Sequence, residues 1–205
     1  MVGKPLPVQA ARMNRLQTYD VAAAGPATTG LLLNIAAFQL GWFACVLGAA
    51  HGWPWAGVAV AVAVVALHLA RAASPMDELK LIVFAVLIGA LWDSLLVSLG
   101  WIAYPGETLI TGAAPHWILA LWALFATTLN VSMRWLKQRL LMAFVLGAVC
   151  GPLSYWAAVR LGAVQFIEPL HIVIALALGW ALIMPLLMLL SRRFDGITPI
   201  PKVAP

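Results

Sequence analysis

Charge is what this chain has least of. Only 9% of its 205 residues are Asp, Glu, Lys or Arg, against 64% apolar, whereas a soluble domain carries about 25% charged residues. That is too little charge to cover a water-facing surface, which excludes the water-soluble fold classes. Acids are scarcer than bases, seven against twelve. The bases are scattered among polar segments and form no stripe, so they read as topogenic charge and no nucleic acid is expected as a partner. Cysteine is nearly absent: Cys45 and Cys150 both fall in apolar runs, where a thiol packs as a small hydrophobe. Also missing are a phosphate-binding glycine loop, a dinucleotide fingerprint, a nucleophile elbow and a zinc-protease helix with its His-x-x-x-His pair. No cofactor and no metal is therefore expected.

What fills the chain is a set of six apolar runs of about 20 residues, the length that crosses a hydrocarbon core as a helix. No ten-residue alternation of the barrel kind is present, so the expected fold is all-α, a polytopic membrane bundle of six transmembrane helices. The runs place helices over Leu31–Ala50, Trp55–Ala70, Leu79–Trp101, His116–Arg134, Leu140–Val159 and Leu170–Leu190. Together they make a domain of residues 31–191 between an N-terminal tail, residues 1–30, and a C-terminal tail, residues 192–205. Putting the N-terminus in the cytoplasm leaves eleven of the twelve Lys and Arg inside and only Arg160 outside. Both termini are therefore expected to be cytoplasmic.

Lipid tails are as apolar as leucine, so helices in a bilayer meet through small residues and polar contacts. Ala37, Gly41, Cys45 and Ala49 recur at four-residue steps in the first run, and Ala143, Gly147 and Gly151 in the fifth. In the third run, Gly89, Asp93, Leu96 and Gly100 fall along one helical face. Asp93 lies thirteen residues after Lys80, about 19 Å along a helix and so near the midplane. An acid at that depth is expensive, and it either holds helices together or takes part in chemistry. No Lys or Arg lies level with it. Ser154, Tyr155 and Gln39 are the candidate partners, with Ser94 beside it.

Two further layers carry polar side chains. On the outer side are His51, His116, His171, Glu107, Glu168 and Arg160, types that bind metal or exchange protons where they converge. Interfacial histidines are ordinarily solvated bystanders, and no pair here has ligand spacing on one helix. On the inner side Asn34, His68, Arg71, Thr127, Asn130 and Arg134 could line a small polar cavity, or simply join helices and snorkel. Trp42, Trp92, Trp122 and Trp180 lie deeper than the belt tryptophans, and their N–H groups need buried partners.

Several segments resemble a bacterial inner-membrane family of unknown function, number 2878 among such domains. They are Asn34 to Val46 (NIAAFQLGWFACV), Leu91 to Val97 (LWDSLLV), Leu121 to Leu129 (LWALFATTL), and Gly151 to Trp156 (GPLSYW) with Arg160 to Ala163 (RLGA). The resemblance implies an inner-membrane location and at most an association with enzymes that modify membrane fatty acids; it carries over no catalytic residues. The expected function is an accessory or scaffolding component linked to lipid modification, with membrane lipids and lipid-modifying enzymes as partners. The alternatives are a small transporter or flippase using Asp93 as its proton or substrate site, and an intramembrane lipid-modifying enzyme.

Overall fold

The structure, a computed structural model, describes residues 28–106 and 110–197. Glu107 lies outside the described residues, as do the expected tails up to residue 27 and from residue 198. Among the described residues there are six helices: α1 (Thr28–Ala50), α2 (Pro54–Arg71), α3 (Pro75–Ser98), α4 (His116–Leu129), α5 (Leu140–Arg160) and α6 (Pro169–Arg193). A 3-10 turn, Arg134–Leu136, joins α4 to α5, and two short strands, β1 (Ile102–Ala103) and β2 (Gln165–Phe166), pair antiparallel with Ile102 opposite Phe166. The chain is therefore all-α, and every helix but α4 is long and apolar enough to cross a membrane. Proline opens α2, α3 and α6, where its missing N–H costs the helix nothing.

The fourth helix differs from its expected span. It stops at Leu129 instead of Arg134 and has 14 residues, about 21 Å. The cause is local competition for backbone groups. The hydroxyls of Thr127 and Thr128 donate to the carbonyls of Leu124 and Phe125, at 2.7 and 2.6 Å. The N–H groups of Val131 and Met133 then both turn back to the Thr128 carbonyl. Polar side chains that bond their own backbone in this way weaken the helical ladder. For its length the short helix is also the most enclosed, with eight of its 14 residues buried. It packs against α1, α2 and α3, while α1 pairs with α2 and α5 with α6.

Close approach is set by the small residues. Gly57 of α2 lies against the backbone of Ala44 and Cys45, and Gly147 of α5 against the carbonyl of Trp180; a Cβ at either would overlap its neighbour. Gly89 and Gly179 instead receive ring faces, those of Trp122 and Trp92. At one end of the bundle, Gly100 and Gly162 adopt φ of 70° and 86°. Their N–H groups bond to Val97 and Val159, and the next residues, Trp101 and Ala163, bond to Leu96 and Ala158. Both are Schellman closures, which need a left-handed residue at that point. They turn the chain from α3 into β1 and from α5 into β2, and the residue after β1 is Tyr104.

Candidate functional site

Asp93 is fully buried, with no exposed surface, and three donors converge on it. The hydroxyls of Tyr104 and Tyr155 each donate to Oδ1 at 2.6 Å. The indole N–H of Trp122 donates to Oδ2 at 2.7 Å. The carboxylate thus ties α3 to α4, to α5 and to the segment following β1. Gly89, one turn before Asp93, allows the Trp122 ring to lie flat against α3 and aim its N–H at the acid. Two phenols and one indole hold the group, with no cation among its partners in the described residues.

Of the candidate partners only Tyr155 reaches Asp93. Ser154 is one residue away but donates to the Gly151 carbonyl at 2.7 Å. Gln39 is exposed on α1. Ser94 accepts from the backbone N–H of Ala114 at 3.0 Å. The residues missed were Tyr104 and, as a partner of the acid, Trp122. For Trp122 the signal was present, a deep indole in need of an acceptor. For Tyr104 there was none, because only the β1–β2 pair brings that segment back over the bundle.

Next to this cluster lies a cavity of about 270 Å³ between α1 and α5, with α4 and α6 behind it. Phe38 and Trp42 form one wall, Leu146 and Gly151 the other, and Phe125 and Trp180 the back. Tyr155 and Trp122 line it, whereas Asp93 does not; the acid sits behind them. Trp122 and Trp180 stack with ring centroids 4.8 Å apart, giving the back wall a flat aromatic surface. Along α5 the lining runs from Leu146 to Ala158, about 18 Å of helix. Cys150 lines it and is also exposed, so the cavity is an elongated cleft that reaches the surface beside α5.

The end of the bundle away from the strands holds a second buried network. Glu78 is fully buried; its Oε2 meets His68 Nε2 at 2.7 Å. Its Oε1 accepts from Asn130 Nδ2 at 2.6 Å and from the Gly196 N–H at 2.8 Å. Asn130 also donates to the Phe194 carbonyl. Asp195 pairs with Arg134 at 2.9 Å and Lys137 at 2.8 Å, and the Arg192 guanidinium donates to the Lys137 carbonyl. Burial pushes the Lys137 ammonium below its ordinary value, with Asp195 opposing the shift. His68, Asn130 and Arg134 are thus brought together, but around Glu78 and Asp195, which sequence reasoning did not single out. Asn34 instead donates to the Thr127 carbonyl at 3.0 Å, and Arg71 is exposed.

The other histidines go to separate partners. His51 bonds to the Leu47 carbonyl, and His116 stacks on Trp55 with centroids 4.1 Å apart. His171 lies 3.6 Å from Glu168 and stacks on Trp101. Arg160 stands over Trp156. Among the described residues no three His, Cys, Asp or Glu side chains gather where they could hold a metal ion.

A helical bundle with five membrane-length apolar helices and a buried polar core belongs among multi-pass membrane proteins. More narrowly, the chain belongs to a family described as protein of unknown function (DUF2878), which matches residues 31–186. Comparison with curated proteins and with solved structures finds no match to either.

Proposed function

We propose that this chain is a six-span protein of the bacterial inner membrane, with both termini cytoplasmic, that accommodates a lipid acyl chain in the α1–α5 cleft. In this reading it serves membrane fatty-acid modification as an accessory component. The cleft carries the proposal: it is elongated, lined almost wholly by apolar and aromatic side chains, and open towards the side of the bundle. In a bilayer the medium at that opening is acyl chain, so hydrocarbon is the species such a cleft meets first. The short α4 counts as a span because its ends meet protein rather than lipid, a setting in which non-helical backbone is tolerated at membrane depth. The positive-inside bias supports the orientation.

For transport through Asp93, a substrate would have to pass Tyr155 and Trp122, whose donors already occupy both carboxylate oxygens. For enzyme chemistry, Ser94 beside the acid is engaged by Ala114. The accessory reading needs neither group to be reached. Its test is the fatty-acid and phospholipid profile of a deletion strain, in stationary phase and under oxidative stress. An altered profile, restored by the wild-type chain, is expected; a profile identical to the parent's under both conditions would overturn the proposal.

A further inference from the structure

Each end of the cleft carries an exposed arginine, but in a different setting. Towards the α4–α5 connection its lining reaches Met133 and Leu136. The backbone N–H of Arg139 donates to the Leu136 carbonyl at 2.8 Å. The exposed guanidinium of Arg139 stands 5.7 Å from the ring of Trp135, itself half exposed. Its basic neighbours Arg134 and Lys137 are both held by Asp195, whereas Arg139 pairs with no carboxylate among the described residues. No acid occupies the first turn of α5. At the far end the lining reaches Ala158 and Val164. Arg160 stands there at the negative end of the same helix, where a cation is already complemented by the helix dipole.

We infer that the cleft takes one acyl chain of an anionic glycerophospholipid whose phosphate lies at Arg139; this rests on the cleft reading above and names its ligand. Three features select that ligand together. The apolar length of the cleft takes a hydrocarbon chain. The Trp135–Arg139 pair marks the interfacial level at which a headgroup sits. The unpaired cation attracts an anionic headgroup over a zwitterionic one. A free fatty acid shares the chain and the negative charge, so the experiment separates the two sources.

The test is photo-crosslinking of the purified full-length protein with a phosphatidylglycerol carrying a mid-chain diazirine, mapped by peptide mass spectrometry. Unlabelled phosphatidylglycerol, phosphatidylcholine with the same chains, and oleate serve as competitors. Crosslinks are expected on the cleft wall, for example at Leu121 and Leu146, and Leu121→Trp, which narrows the cleft, reduces them. Phosphatidylglycerol should compete about fivefold better than phosphatidylcholine, the effect of one cation near the surface. Arg139→Gln removes that preference, and Arg160→Gln keeps it. Equal competition by the two phospholipids in the wild type overturns the anionic-lipid inference and leaves the cleft reading standing. Oleate competing better than phosphatidylglycerol overturns it in favour of a fatty acid. Crosslinks confined to the outward faces of the helices overturn both readings.

Discussion

Replacing Asp93 by Leu removes the acceptor for three buried donors and puts an apolar side chain, branched at the same carbon, in its place. Hydrogen bonds between membrane helices average about 0.6 kcal/mol and reach about 1.7 kcal/mol, so three together contribute about 2–5 kcal/mol. Tyr155→Phe deletes only one hydroxyl and should cost about 1 kcal/mol by the same measure. The decisive quantity is their coupling. In the Asp93→Leu background the Tyr155 hydroxyl has lost its acceptor, so removing it should cost nothing and should even relieve an unsatisfied group. A double-mutant cycle should therefore return a coupling of about 1 kcal/mol. Reversible unfolding in mixed detergent micelles, followed by tryptophan fluorescence and circular dichroism, measures all four states. Equal cost of Tyr155→Phe in both backgrounds would refute the view that the acid binds α5 to α3.

Two other perturbations probe the opposite end of the bundle. Glu78→Ala leaves His68, Asn130 and the Gly196 N–H without their common acceptor; loss of one member of a buried pair costs about 3–5 kcal/mol. Limited proteolysis should then cut near Phe194 to Ile197, where the wild-type protein resists. Lys137 supplies a pH signature. Its folded-state value lies below its unfolded one, so between the two the unfolded chain binds more protons and stability rises with pH. The rise should fall below the ordinary lysine value of 10.5 and should vanish in Lys137→Met, read as the difference between the two unfolding curves.

The positions of the helices were legible because each apolar run is bounded by turn residues or charge. Leu140–Val159 was expected and Leu140–Arg160 is observed. The length of α4 was not legible, because a run of apolar periodicity does not show where Thr127, Thr128 and Asn130 will turn to other partners. Depth arithmetic found Tyr155 as a neighbour of Asp93 but could not separate it from Ser154, since depth along a helix leaves rotation about its axis open. Tyr104 depended on a two-residue strand pair that periodicity cannot reveal. Glu78 sits in the first turn of α3, where an acid is ordinarily explained by the helix dipole. Asp195 fell in what reads as a tail after Arg193. Both acquire their roles only once the end of α6 folds back over Asn130.

The claim that the cleft is the working part of the molecule is tested most directly by Leu121→Trp, a substitution on its wall that replaces neither Asp93 nor any of its donors. The variant should be expressed in the deletion strain and compared with the wild-type chain for protein level, unfolding behaviour and membrane lipid profile. A variant that accumulates and unfolds like the wild type yet fails to restore the profile is the expected result. Full restoration by a protein whose cleft is narrowed in this way would contradict the account.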